Sequence, residues 1–276
     1  MAADADDHAF HAKGAGEDAR DAAGAGGRQG DAAESGRSKV AMVTGGSRGI
    51  GRAVVEALLG AGWRVFFGSK SQESLERARA ELADRFGAAV AGRPLDVRQQ
   101  EEADAFVDWV VSQAGGLDCL VNNAGVGTFA PVDALSGDAW RAVVETNLSG
   151  AFYCLRAAAG PMKRQGRGWI FNIGSLAGRN AMAGGAAYNA SKFGLIGLSE
   201  AAMLDLRQFG VRVAAILPGS VDTGFGVPGR PAADARGRAW MLAPEDVAAM
   251  VLHLLSYPER ALPSLVEMRP TRPPQR

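Results

Sequence analysis

Tyr188 and Lys192 stand four residues apart in the stretch YNASK, which runs straight into the apolar stretch FGLIGL. On a helix, residues four apart share a face one turn from each other, so this spacing sets a phenol beside an ammonium. A free phenol gives up its proton only near pH ~10. An ammonium within about 4–6 Å favours the phenolate and lowers that value. The pair therefore predicts a tyrosine tuned for proton transfer, held beside the cation that tunes it.

A second group with chemistry to offer is Thr44-Gly45-Gly46-Ser47-Arg48-Gly49-Ile50-Gly51, which follows the apolar run KVAMV and opens a helical pattern. Glycines at such a junction allow a tight turn and a close backbone approach. They also aim the exposed N–H groups of a helix N-terminus at a pyrophosphate. The spacing is TGxxxGxG rather than GxGxxG.

The identity of a bound dinucleotide depends on the end of the second strand, where an acid would hold a ribose 2′-hydroxyl. The chain there reads Phe66-Phe67-Gly68-Ser69-Lys70-Ser71, with no carboxylate until Glu73. Lys70, helped by Arg48, is suited to neutralising a 2′-phosphate instead. The expected cofactor is NADP(H), not NAD(H).

These groups need a scaffold, and the rest of the chain supplies its pattern. From Lys39 onward short β-type runs alternate with segments of helical period. The runs are KVAMVTG, RVFFGS, AAVAGRPLDV, LDCLVNNAG, GWIFNIGS, VRVAAILPG and SLVEM; between them lie six helical stretches, one reading DAWRAVVETNLSGAFYCLRAAA. Six or seven strands with intervening helices predict an α/β fold, a doubly wound, mainly parallel Rossmann-type sheet in a single domain with helices on both faces. Ligands then sit at the carboxyl ends of the strands.

Composition sets limits. The 276 residues are 47% apolar and 22% charged, enough for one large core. Residues 1–36 hold eight acids against three bases and a single aromatic, Phe10, so they are expected to form a disordered extension. The domain is then 37–268, with a Pro-rich tail at 269–276. The balancing positive charge is too dilute for nucleic acid. No apolar run reaches the ~18 residues of a membrane span, and no secretory segment or transit peptide is evident. Cys119 and Cys154 lie within apolar patterns and read as buried small hydrophobes rather than a disulfide or metal site, which points to the cytoplasm. No metal is expected; His8 and His11 fall in the solvated extension.

Taken together, TGGSRGIG, LDV at 95–97, NNAG at 122–125, Asn147 in ETNLSG, Ser175 in NIGSLAG, YNASK and PGSVDT at 218–223 resemble the short-chain dehydrogenase/reductase family. The chain is similar in particular to 3-oxoacyl-[acyl carrier protein] reductases and related carbonyl reductases, over about residues 38–256.

The resemblance implies an NADPH-dependent reduction of a ketone to a secondary alcohol, with a 3-oxoacyl thioester as one candidate substrate. It makes Tyr188 the proton donor and Lys192 its tuner and a ribose contact, with Ser175 donating to the substrate oxygen. Asn147 would hold, through its side-chain carbonyl or its backbone, a water that contacts Lys192. For the cofactor it implies Gly45, Ser47, Arg48, Gly49, Ile50 and Gly51 at the glycine loop, and Ser69 and Lys70 at the ribose phosphate. Asp96 and Val97 would form the adenine pocket, with Asn123, Ala124 and Gly125 on the adenosine ribose and pyrophosphate side. Pro218, Gly219, Val221 and Thr223 would cover the nicotinamide. Asn122 is expected to brace the sheet.

Phe129, Met182, Phe225, Trp240 and Met241 are candidate apolar walls for the substrate, and Arg230, Arg236 and Arg238 lie in a Gly/Pro-rich segment expected to form a lid. The ending ERALPSLVEMRPTRPPQR lacks the glycines common in the family at its last strand, where the resemblance places a subunit contact of a homotetramer or dimer. Two alternatives stay open: an alcohol or polyol dehydrogenase of the same family, and a non-catalytic NADP(H)-binding sensor on the same fold.

Overall fold

The computed structural model describes residues 37–225 and 239–273. The predicted extension at 1–36 and the three lid arginines lie outside the described residues. Within them the chain runs β1 (Val40–Thr44), α1 (Gly49–Gly60), β2 (Arg64–Ser69), α2 (Gln72–Phe86), β3 (Val90–Pro94), α3 (Gln100–Ala114) and β4 (Cys119–Asn122). It continues through α4 (Gly137–Val144), α5 (Gly150–Gln165), β5 (Gly168–Ile173), α6 (Ala186–Leu206), β6 (Val211–Pro218), α7 (Pro244–Leu255) and β7 (Leu265–Met268). The seven strands form one sheet in the order β3-β2-β1-β4-β5-β6-β7, and every neighbouring pair is parallel.

Parallel strands buried on both faces read as continuous apolar runs, and side chains alternate between the faces. Val65 and Phe67 of β2 accordingly pack with Val54, Leu58, Leu75, Val247 and Val251 from α1, α2 and α7. Phe66, between them, packs on the opposite face with Phe106 and Val110 of α3, Cys154 of α5 and Leu206 of α6. Both cysteines are free and buried, and burial pushes the Cys154 thiol up to about 12, so each serves as an apolar filler.

Local signals set the helix ends. Ser71 and Ser136 accept hydrogen bonds from Ser74 N and Ala139 N at the starts of α2 and α4. Asp246 Oδ2 accepts from Ala243 N at the start of α7.

One expectation needs correcting. The stretch from Asp138 to Ala159 is not a single α-helix, because a five-residue π-helical segment, Glu145–Ser149, separates α4 from α5. Asn147 lies at its centre and turns its side chain onto Val126, in the loop after β4. This local widening positions a polar side chain that a regular helix would direct elsewhere.

Candidate active site

The chain leaves β1 toward β2 and β3, then crosses back to β4 on the other side of β1, so the loops after β1 and β4 diverge and open a crevice. A cleft of about 910 Å³ lies there. Thr44 ties its floor together: its Oγ1 accepts from Asn123 N and Ala124 N, both at 3.0 Å, while Asn123 Nδ2 donates to the carbonyls of Thr44 and Gly45 at 3.0 and 3.1 Å.

Gly45 and Gly49 adopt φ of +64° and +56°, left-handed conformations that L side chains rarely take. At Gly51 the restriction is steric, since a Cβ would stand 2.3 Å from Gly45 O and 2.4 Å from Asn123 Nδ2. No side chain caps the start of α1 and no acid occupies its first turn, which leaves N–H groups and the positive end of the helix dipole for an anion.

Every sequence-predicted catalytic and cofactor residue lines this cleft except Gly51 and Asn147; of the candidate apolar walls Phe225 lines it, Phe129 packs beside Tyr188 with ring centroids 5.6 Å apart, and Met182, Trp240 and Met241 are not part of its lining. Gly51 packs the helix onto the strand end. Asn147 is buried behind the wall at 2% exposure.

At the catalytic end, α6 presents Tyr188 and Lys192 toward Ser175, which follows β5. Lys192 is buried and its Nζ donates to Ile173 O at 2.8 Å. Burial lowers its pKa to about 8, so the ammonium persists at neutral pH. For Tyr188 the expected direction is reversed: burial pushes the phenol up, and only a hydrogen bond from Ser175 works the other way. Lys192 Nζ sits 5.8 Å from the centre of the Tyr188 ring, with its bonding directed at Ile173. The phenol is therefore protonated at neutral pH, the form a proton donor requires.

The side chain of Asn147 is fully engaged within the protein. Its Oδ1 accepts from Val126 N at 2.8 Å, while its Nδ2 donates to Val126 O at 2.9 Å and to Ser191 Oγ at 3.1 Å. Ser191 Oγ in turn donates to Tyr188 O at 2.8 Å. The side chain thus braces α6 through Ser191.

Asn189 is a further contributor that the motif reading passed over as a spacer. Its Nδ2 donates to Ala177 O and Asn180 O at 2.6 and 3.1 Å and its Oδ1 accepts from Met182 N at 3.2 Å, clamping the loop after Ser175 onto α6. Asn122 braces the interior, donating to Ala151 O and Asn172 Oδ1, and Asn172 continues the chain to Ser199 of α6.

At the other end of the cleft, Asp96 holds Arg98 at 2.6 Å and Lys70 at 3.1 Å. The Arg98 guanidinium, with help from Lys70, keeps its carboxyl well below the usual carboxylate range. The expected adenine acceptor is thus already engaged by two cations. The Lys70 side chain is 63% exposed, so that ion pair is weak, about 0–1 kcal/mol, and yields to a more highly charged anion. Beside it the hydroxyls of Ser47, Ser69 and Ser74 meet at 2.9, 3.0 and 3.4 Å. Ser74 carries no motif signal. Only its place in the first turn after Lys70 could have suggested it.

The segment after β6 closes the cleft. Val221 pairs with Leu242, and Asp222 N donates to Leu242 O at 2.9 Å. Thr223 faces Gly49 across the opening, where a Cβ on the glycine would come within 3.3 Å. Gly219 N donates to Met268 O at 2.8 Å, and Pro270 lies against Gly219, so the glycine-poor ending packs on the chain's own cleft segment.

The short chain dehydrogenase family model matches residues 39–232. A 3-alpha-(or 20-beta)-hydroxysteroid dehydrogenase of Mycobacterium tuberculosis (strain ATCC 25618 / H37Rv) is 38% identical over 226 residues, covering 80% of this chain and 85% of the relative. An alcohol dehydrogenase from the archaeon Thermococcus sibiricus, solved with 5-hydroxy-NADP, superposes with a TM-score of 0.77 at 30% identity, covering 87% of this chain and all of that one. A variant of actinorhodin polyketide ketoreductase, solved with NADPH, superposes at 0.76 with 33% identity, covering 84% and 96% of the two chains. With the glycine loop, the seven-stranded parallel sheet and the Ser175, Tyr188 and Lys192 arrangement in one frame, the chain belongs to the short-chain dehydrogenase/reductase family of oxidoreductases.

Proposed function

We propose that the protein reduces a ketone to a secondary alcohol with NADPH. The observation that carries the reading is the meeting of a protonated Tyr188, Ser175 and the Lys192 ammonium at one end of a cleft whose other end holds Lys70, Arg48 and a serine cluster. Two of the similar structures hold NADP-type cofactors, which supports the same reading. The residues present fit such a cofactor: the glycine cradle has no room for a Cβ at Gly51, and the start of α1 offers free donors to a pyrophosphate.

NADPH, when bound, supplies the hydride. Ser175 and the Tyr188 hydroxyl converge where a carbonyl oxygen would be received, and their hydrogen bonds stabilise the charge that develops there. Tyr188 then gives its proton to that oxygen, and the nearby Lys192 ammonium stabilises the phenolate left behind. Oxidation of the alcohol is the same chemistry reversed.

Two substrate types are raised by the resemblance, a 3-oxoacyl thioester and a free ketone. A sensor that only binds NADP(H) would have no use for a proton donor beside a donor hydroxyl, which disfavours that alternative.

The test is NADPH and NADH consumption by the full chain across 3-oxoacyl thioesters, ketones, diketones and quinones. Turnover of at least one carbonyl with NADPH preferred is expected, and Lys70→Ala should weaken NADPH binding about tenfold while sparing NADH. Equal use of both cofactors would remove the 2′-phosphate assignment. Tight NADPH binding with no turnover of any carbonyl would favour the sensor.

A further inference from the structure

Ser175 lies beyond the end of β5 and opens a short 3-10 turn, Leu176–Gly178. The direction of its hydroxyl is therefore set by what holds that turn. A serine hydroxyl has one proton to give and two lone pairs with which to accept. Ala177 N donates to Ser175 Oγ at 3.1 Å, which engages one lone pair and leaves the proton for another partner. That partner is Tyr188, whose ionisation the Ser175 hydrogen bond eases against the effect of burial.

One side chain seats the turn on α6. Asn189, the residue after Tyr188, is buried and does not line the cleft. Its Nδ2 gives both protons, to Ala177 O at 2.6 Å and to Asn180 O at 3.1 Å, and its Oδ1 accepts from Met182 N at 3.2 Å. Two glycines make room for this contact. A Cβ at Gly185 would stand 2.5 Å from Asn189 Oδ1, and one at Gly178 would stand 2.7 Å from Lys192 O, so the turn lies directly on the helix backbone. The connections close a ring: Asn189 holds Ala177, Ala177 N holds Ser175 Oγ, Ser175 reaches the phenol of Tyr188, and Tyr188 returns to Asn189 along the chain. A buried polar network with every member paired rigidifies what it connects.

Resting on the ketone reduction proposed above, we infer that Asn189 is a positioning residue for that reaction, holding the turn that aims the Ser175 hydroxyl at the phenol of Tyr188 and at the reacting oxygen. It acts through Ser175 rather than on the substrate. A hydroxyl set in advance where charge develops costs no reorganisation at the moment of reaction, and a small misplacement of such a group lowers the rate more than it lowers binding. The glycine loop and Lys70 lie on other segments, so NADPH affinity does not depend on the clamp.

The test compares the full chain with Asn189→Ala. On the best carbonyl substrate the variant is expected to lower kcat about tenfold and to leave NADPH affinity as it was. Ionisation of Tyr188 is followed separately by NMR on protein with isotope-labelled tyrosine rings; the chain has three tyrosines, and Tyr188→Phe assigns the signal. Asn189→Ala should lower the Tyr188 ionisation constant about tenfold, the size of one lost hydrogen bond to a charged group. Of the described side chains beside that phenol, Lys192 carries a charge while Phe129 and Phe225 carry none. Repeating the titration in Ser175→Ala therefore isolates the share of the serine, and there Asn189→Ala should add nothing further. Gly185→Ala, which drives a methyl group against Asn189 Oδ1, disturbs the clamp without removing it and should act in the same direction where Asn189→Ala does not fold.

A change in Tyr188 ionisation that disappears in the Ser175→Ala background supports the inference even where no carbonyl is turned over, and in that case the ketone-reduction reading fails alone. Four results would overturn the inference: unchanged kcat on a substrate that wild type reduces, a matching loss of NADPH affinity, unchanged Tyr188 ionisation, or a change that persists in full without Ser175.

Discussion

Burial holds the Tyr188 phenol above its ordinary range, and the ammonium of Lys192 keeps its charge at neutral pH although it is buried. The spacing of the two residues could be read from YNASK. The direction of the tyrosine shift could not, because four residues of sequence say nothing of how deeply the ring is covered or which acceptor the lysine takes. Ile173 O takes it, and that choice is tertiary. The lysine carries a stability cost with a definite sign. Its pKa is about 8 in the fold against an ordinary value of 10.5. Between these values the unfolded chain binds a proton that the fold has released, so its contribution to stability rises with pH. From about pH 7 to about pH 9.5, wild type should gain about 2 kcal/mol relative to Lys192→Met in denaturant unfolding. Parallel pH profiles for the two proteins would show that the buried ammonium is not strained.

At the scale of elements, the inner strands were legible as apolar runs, since their interiors are covered on both faces, while the edge strands β3 and β7 carry polar and exposed residues. The break in the long helix was not. Neither Pro nor Gly marks Glu145–Ser149, and the cause lies outside the helix, where the Val126 backbone pairs with Asn147. Ser74 and Ser191 were missed for a similar reason: each finds its partners from another segment or across a helical turn, with no motif spacing to announce it. The junction between β1 and α1, by contrast, was legible because glycine is the only residue that fits it. Gly51→Ala is expected to press a methyl group onto Gly45 O and Asn123 Nδ2, costing about 1–3 kcal/mol of stability and weakening NADPH binding. Thermal unfolding and a fluorescence titration check both effects. An unchanged Tm would mean that the loop yields freely.

Across the whole molecule, the sheet order creates the cleft, and the cleft separates a cationic end from an aromatic one. The outer surface carries its own asymmetry: Phe152 on α5 and Phe193 on α6 leave 42% and 46% of their area exposed, with Trp140 on α4 at 41%. Aromatic exposure of this kind is better accommodated against a second copy than in water. We expect the purified chain to be a homo-oligomer, and Phe152→Asp with Phe193→Asp to shift it toward monomers in light scattering. A wild-type monomer at micromolar concentration would contradict this. The chemistry of the assembled cleft depends above all on whether Tyr188 delivers its proton. The most direct measurement pairs NADPH affinity with kcat for wild type and Tyr188→Phe on the best ketone substrate. The predicted result is unchanged affinity with kcat lowered about a hundredfold or more, because only the proton donor is lost. Undiminished turnover in Tyr188→Phe would contradict the account and move the acid to another group.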